Sequence, residues 1–505
     1  MNAETSYLFR HALLRDAAYQ LQLPGNRARL HDLAVTAIES VCGGAAPEPP
    51  PLAAMDGRRP EAHPSDRFAG ELAEHARLSG RLEVQRRYLG RGAEFAETIF
   101  QNAAAEGLWR RLAEVTAGSE RAEALRRAGD VAHVAGRWKQ ADLLYRRALV
   151  LHLRANNRRG EGMATHSLAT LHRETGSVER ARRCYDRTLE IFCEMNDPHA
   201  EGGALAGRAL LLKDLGRMAE AETAFEKALA LLRACADERR VAIVTGNRAN
   251  LDHNLGHFDV AERRYDEAIR HARAHGDLRT EGNHLANRAA LYADTGRAEE
   301  AERDYRRALE ITRDVGDRRA FALIAGNLGN QLARTGRPED AARLFHESLS
   351  IHRDIGNRRS EGVALGNIGQ LHQQTGNLVE AENFMRQALA LHREVANRRS
   401  EGILLGNLGG LLSAAGRHEE SERMFQEAFS IHRAVGNRGF EGTHRCDHAL
   451  LLLQRGLADE ARGEWLAGAA ILRELGDTLD LDAKRASMKK ACEAAGADLF
   501  EAGRR

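Results

Sequence analysis

The chain has 505 residues, more than one ordinary globular core holds, and its 74 Lys and Arg against 73 Asp and Glu leave a net charge of +1. That balance gives no electrostatic case for nucleic acid or an acidic membrane as a partner, and no apolar run nears the roughly 20 residues of a membrane span. Six scattered cysteines without a CxxC pair exclude a disulfide framework and a zinc site and suit a reducing cytoplasm, while 5% aromatics beside abundant Ala, Leu, Arg and Glu favour helices.

In chain order, residues 1–44 read as a small helical segment whose charges leave no apolar signal-peptide core. Residues 45–66, "AAPEPPPLAAMDGRRPEAHPSD", hold six of the nine prolines and are expected to be a flexible linker. Residues 67–118 are expected to be helical capping repeats leading into an array over 119–477. A helix over Thr478–Ala495 with a tail to 505 is expected to cap it, basic on its exposed side.

The array rests on a forty-residue ruler. "GNRRSEGVALGNIGQLHQQTGN" begins at Gly356, and "ANRRSEGILLGNLGGLLSAAGR" begins forty residues later, identical at 12 of 22 positions. Glycine recurs at 136, 176, 216, 256, 296, 336, 376, 416 and 456, which makes nine units. Each glycine is followed by Ala or Ser five residues on and by a large residue nine on, as in Ala341 and Phe345. Asn357 suits an N-cap, Glu361 the positive end of a helix, and Gly356 and Gly376 the turns. The first helix of that unit is therefore predicted over Arg358–Thr375 and the second over Asn377–Val395. Gly369 and Ala381 would let the two approach, with Met385 filling the space beside them.

The pattern Gly329, Gly336, Ala341, Phe345 and Gly369, Gly376, Ala381, Met385, Ala388 resembles the tetratricopeptide repeat, in its longer form of 40 rather than 34 residues. That form occurs in Pins-type scaffolds and many bacterial regulators. The resemblance implies an all-α fold, a right-handed superhelical solenoid of antiparallel helix pairs, whose first helices line the concave face. Units one, three and nine depart from it, with Arg127, Gly207 and Asp447 where the central units have Asn.

On that face the sequence places carboxamides in register: Asn247, Asn287, Asn327, Asn367 and Asn407, joined by Asn250, Asn330, Gln370, Gln374 and Arg334. A carboxamide both donates and accepts, which suits the backbone of an extended peptide, so these ten residues are the candidate partner-binding set. Gly246, Gly326, Gly366 and Gly406 beside them suggest that something approaches closely. Alternatively, each Asn bonds a neighbouring unit's backbone and the glycines merely permit tight packing. His152, His352, His392 and His432 share a register near the end of the second helix. Units stand too far apart for such residues to share a metal, so a solvated helix face is expected. The pairs Arg158–Arg159, Arg318–Arg319, Arg358–Arg359 and Arg398–Arg399 are expected to form exposed ion pairs.

Phe9, His11, Leu14, Arg15, Ala17, Tyr19, Arg29, Leu30 and His31, with "LAEHARLSG" from Leu72, resemble the segment that joins the NTPase to the repeats in bacterial STAND-type signalling ATPases. The chain contains no GxxxxGK[ST] loop, so that family's ATPase activity is not carried over. The chain would then be a separated sensor half, the later part of a longer reading frame, or a protein that kept a vestige. With no HExxH or GxSxG either, no enzyme activity and no cofactor is expected. The leading expectation is a cytoplasmic scaffold of bacterial signalling or regulation that binds an extended peptide or a partner domain on the concave face, and neither nucleic acid nor membrane. The other is the ligand- or peptide-sensing arm of a STAND regulator whose NTPase or effector is encoded nearby.

Overall fold

The computed structural model describes residues 23–52, 61–99, 101–475, 478–496 and 500, and every regular element among them is helical. Residues Phe9 to Tyr19 of the STAND-like segment lie outside the described residues. Four helices come first: α1 (Pro24–Val41), α2 (Ala69–Ser79), α3 (Leu82–Thr98) and α4 (Asn102–Val115). Nine antiparallel pairs follow. They are α5 (Gly118–Val134) with α6 (Trp138–Arg154), α7 (Arg158–Glu174) with α8 (Val178–Glu194), and α9 (Pro198–Asp214) with α10 (Met218–Ala234). Next come α11 (Glu238–Asn254) with α12 (Phe258–Ala274), α13 (Leu278–Asp294) with α14 (Ala298–Asp314), and α15 (Arg318–Arg334) with α16 (Pro338–Asp354). The last are α17 (Arg358–Gln374) with α18 (Leu378–Glu394), α19 (Arg398–Ala414) with α20 (His418–Val435), and α21 (Arg438–Gln454) with α22 (Ala458–Glu474). Helix α23 spans Thr478–Ala495, and its Leu481, Met488 and Cys492 join one core with Cys446 and Leu453 of α21 and Trp465 and Leu472 of α22.

Local chemistry sets these boundaries. Gly376, with φ +82°, makes the left-handed turn that ends α17, one residue earlier than the sequence predicts, and every glycine of the ruler has positive φ. At the start of the first helices, Asp197, Asp237, Asp277, Asp317, Asn357 and Asn397 each accept a hydrogen bond from the N–H three residues on.

The residues fall into two compact units, 1–168 and 169–505, divided within α7. In the first unit the expected flexible linker is anchored at several of its described residues. Ala46 and Leu52 are buried, and the Ala46 N–H donates to Tyr88 Oη at 3.3 Å. The buried Arg91 of α3 gathers the segment: Nε and Nη2 donate to Asp66 at 2.7 and 3.0 Å, Nη2 also to the Glu61 carbonyl at 2.8 Å, and Nη1 to the Pro47 carbonyl at 3.3 Å. Proline content signals loss of regular structure, and a buried cation in need of acceptors orders this segment all the same.

In the second unit the small residues of the first helices face the large residues of the second. A Cβ on Gly369 would lie 2.7 Å from Met385 Cγ and 3.1 Å from the Ala381 carbonyl oxygen, and one on Gly329 2.6 Å from the Phe345 ring. Gly369→Ala gains helix propensity of about 1 kcal/mol but has to push a backbone carbonyl aside. A net loss of roughly 1–2 kcal/mol is expected in urea unfolding of the full chain; a stabilised variant would refute this packing.

The histidine register departs from expectation. His152, His352, His392 and His432 are 1, 2, 1 and 0% exposed, not solvated. Within the second unit, the His392 and His432 rings lie under Gly362 and Gly402 of the first helix of their own pair, where a Cβ would come within 2.7 and 3.0 Å. A helical wheel drawn on one helix leaves His392 and His432 outside; the first helix of their own pair covers them, and the next caps, Asn397 and Asn437, stand 3.3 and 3.4 Å from their Nδ1 atoms.

Curvature follows from the contacts. Successive first helices of the second unit pack directly on one another, whereas successive second helices make no comparable contact among the described residues. The first helices therefore form the inner wall. The unit curls far enough for Arg359 Nη1, at the start of α17, to donate at 3.3 Å to the carbonyl of Glu174, the last residue of α7.

Candidate functional site

The inner wall carries the carboxamides where the forty-residue register puts them. Asn327, Asn330, Arg334, Gln370 and Gln374 are exposed, and Asn247, Asn250, Asn287, Asn367 and Asn407 are half-buried. Each first helix turns one stripe inward. On α15 it runs Arg319, Leu323, Asn327, Asn330, Arg334, positions that fall within about a quarter turn of one another at 3.6 residues per turn.

Hydrogen bonding separates members of the set. Asn250 Oδ1 accepts from the Tyr265 hydroxyl, and Asn407 Oδ1 lies 3.3 Å from His444 Nε2 of the next unit. Arg334 Nη2 donates to the Ala293 carbonyl at 3.4 Å. The side chains of Asn247, Asn287, Asn327, Asn330, Asn367, Gln370 and Gln374 have no intramolecular hydrogen bond among the described residues. No carboxamide of the set is bonded to a neighbouring unit's backbone, so that alternative does not account for the ladder.

The glycines have the other explanation. A Cβ on Gly246 or Gly406 would lie 2.0 Å from the ring of His284 or His444, and one on Gly366 would lie 3.4 Å from Leu404. These partners belong to the next first helix, so the close approach that the glycines allow is between helices. His284 is 5% exposed, with Nε2 3.1 Å from the Ala242 carbonyl, and burial lowers its pKa to about 4.

Sequence reasoning missed the apolar members of the wall. Ile243, Leu323 and Val363 are 37, 42 and 44% exposed, each four residues before Asn247, Asn327 or Asn367. The same ruler that revealed the asparagines reveals them, through apolar residues at a solvent-facing position. Apolar contact alternating with carboxamide is a surface that can hold both the side chains and the backbone of an extended peptide. The departures from the register have local causes. Gly207 makes room for Tyr185, from which a Cβ would be 2.7 Å away, and Asp447 forms an ion pair with Lys484 of α23 at 2.6 Å.

Among the described residues, no cluster of three or more His, Cys, Asp or Glu could hold a metal ion, and no helix is long and apolar enough to cross a membrane. Three tetratricopeptide-repeat family models match the chain, one over residues 320–394, one over 283–315 and 404–435, and one over 203–232, so repeats of this kind are recognised there. No curated protein sequence matches. Among solved structures, BtubC (BKLC) from P. vanneervenii is 22% identical over 44% of this chain and 92% of its own, with a TM-score of 0.38. A Rap protein complexed with competence and sporulation factor is 14% identical over 66% of this chain and 98% of its own, with a TM-score of 0.45. Aspartyl phosphate phosphatase F from Bacillus subtilis is 16% identical over 77% and 98%, again with a TM-score of 0.45.

Proposed function

We propose that the second unit is a non-enzymatic interaction scaffold that holds an extended peptide, or an extended segment of a partner domain, along its inner wall in bacterial signalling or regulation. The observation that carries this reading is the ladder of carboxamides, of which Asn247, Asn287, Asn327, Asn330, Asn367, Gln370 and Gln374 have no intramolecular hydrogen bond among the described residues, with an exposed apolar residue one turn before it in three units. Carboxamides that meet no backbone of their own can pair with the N–H and C=O groups of a bound chain once water is displaced. Apolar positions one turn away supply contact area for its side chains.

Replacing Asn327, Asn367 and Asn407 together by Ala tests this. Helicity and melting are expected to stay nearly intact, while affinity for a partner captured from the source cells falls at least tenfold, about 1.4 kcal/mol. Collapse of melting, with binding per folded molecule unchanged, would make the ladder structural.

A second reading, the sensing arm of a STAND-type regulator, is favoured by one contact. His31 and His75, from the two stretches that carry that resemblance, meet at 2.7 Å between their Nδ1 atoms with ring centroids 5.0 Å apart. Thermal stabilisation by a small metabolite, in place of co-purification with a protein, would favour it.

A further inference from the structure

The paired arginines at the start of the first helices do not behave alike. The first of each pair forms the expected ion pairs: Arg318 with Asp354 at 2.7 Å, Arg358 with Glu361 and Glu394 at 2.8 and 2.9 Å, Arg398 with Glu401 at 2.7 Å. The residue at the second position of this register is governed by the N-cap of the next unit, as three units without the arginine pair show. His199 Nε2 lies 2.7 Å from Asp237, Arg239 Nε 3.1 Å from Asp277, and Arg279 Nε 3.2 Å from Asp317. After that, the caps change. The residues that would receive Arg319, Arg359 and Arg399 are Asn357, Asn397 and Asn437.

Asn and Asp cap a helix about equally well, and Asn357 and Asn397 do accept the capping hydrogen bond. Capping therefore does not require the change. What the change removes is three negative charges, each at the place where an arginine of the preceding unit would have found one. Among the described residues neither Arg319 nor Arg399 has an ion pair, and Arg319 Nε is shut off from solvent without a hydrogen-bond partner. Arg359 instead reaches the Glu174 carbonyl, which brings the row against Arg173 and Lys213 at the ends of α7 and α9. Arg173 is met by Asp214 at 2.9 Å and Glu174 at 3.4 Å; Lys213 has no ion pair among the described residues. Burial lowers the pKa of Arg359 and of Lys213. Glu174 opposes this for Arg359 and Asp214 for Lys213, while Arg173 and Arg399 lower both further and Arg319 adds to the effect on Arg359. In a chain whose charges otherwise cancel, this is a local excess of positive charge on the inner wall, with each arginine about two turns before Asn327, Asn367 or Asn407.

We infer that Arg319, Arg359 and Arg399, with Lys213, form an anion subsite that receives the carboxylates of an acidic stretch in the peptide held by the carboxamide ladder. The inference rests on the peptide-binding reading and adds a charge requirement to it. Guanidinium groups give directed, charge-assisted hydrogen bonds to carboxylates, and a partly water-excluded setting strengthens them.

The test restores the missing charges rather than deleting arginines. In the full chain, Asn357→Asp, Asn397→Asp and Asn437→Asp are combined, and fluorescein-labelled deca-glutamate and deca-glutamine peptides are titrated at low salt. A control variant, Asn383→Asp, Gln387→Glu and Gln426→Glu, adds the same charge on exposed positions of the outer helices. The parent chain is expected to bind deca-glutamate at least tenfold more tightly than deca-glutamine. The cap variant should lose that preference with melting unchanged or raised, and the control should keep most of it. Arg319→Gln with Arg399→Gln gives the same readout if the cap variant fails to fold. Equal affinity of the parent chain for both peptides would overturn the inference, as would a preference that survives in both the cap and the arginine variants. The Asn327, Asn367, Asn407 alanine variant in the same titration separates the two claims. If it weakens both peptides while the cap variant changes nothing, the ladder stands and the anion subsite falls.

Discussion

Between pH 6.5 and 4 the urea midpoint of the protein should fall steeply, before its surface carboxylates begin to matter. His284, His352, His392 and His432 are all buried, and burial lowers the pKa of each to about 4. Nearby Arg319, Arg359 and Arg399 lower those of His352, His392 and His432 further, against Glu441 in the last case. An unfolded histidine takes its proton near 6.5, so as pH falls below that value the unfolded chain binds protons that the folded chain refuses. The stabilisation is complete above 6.5 and is lost as pH falls towards 4, on the order of 3 kcal/mol per ring at the full shift. His448 runs the other way. Burial alone would lower its pKa, but Glu464 and Glu422 outweigh burial and raise it, so its contribution is present below 6.5 and lost as pH rises through the folded value. Asp340, Glu300 and Glu420, hydrogen-bonded to Arg337, Arg297 and Arg417, titrate lower than usual and act only in more acid solution. Urea titrations at pH 7 and 4.5, with imidazole resonances followed by NMR, check this. Rings that protonate near 6.5 in the folded protein, or a flat midpoint, would contradict the burial.

Arg91→Leu should be the most damaging single substitution in the first unit. The guanidinium is 1% exposed and binds Asp66, itself 9% exposed, together with the carbonyls of Pro47 and Glu61. Removing it leaves a buried carboxylate without its counter-ion and two carbonyls without a donor, a loss of about 3–5 kcal/mol. Hydrogen exchange at residues 46–52 and 61–68 should accelerate by orders of magnitude while the repeats after residue 169 keep their protection. Asp66→Leu added to Arg91→Leu should recover part of the loss, because two apolar groups bury at no electrostatic cost. Unchanged exchange in the single variant would mean that the proline-rich segment is held by something other than this cation.

The forty-residue ruler made most of the fold legible. A helix pair cannot bury its apolar face alone, so a repeated pair with Gly, Ala and a large residue at fixed spacing commits the chain to stacking. Turns at Gly356 and Gly376, the cap at Asn357 and the span of α23 depend on nearest neighbours in sequence, which is why they could be read directly. The inner-wall asparagines were legible for the same reason, since a register names its own face. Other features depended on which helix lies against which. His392 reads as solvent-facing until Gly362 of α17 lies over its ring, and Gly246 reads as a floor for a ligand until His284 occupies the space. Proline content made residues 45–66 look free, because nothing local announces that Arg91 will need their carbonyls.

The amino-acid sequence by itself determined the repeat, its helices, its turns and the row of carboxamides, since all of these follow from short-range backbone preference and a strict period. Only the tertiary structure decided which side chains are left without partners. Arg279 and Arg319 hold the same place in successive units, and Arg279 meets Asp317 while Arg319, facing Asn357, has no ion pair among the described residues. Charge pairing between units is a property of stacked helices a few ångströms apart, and no single unit contains it.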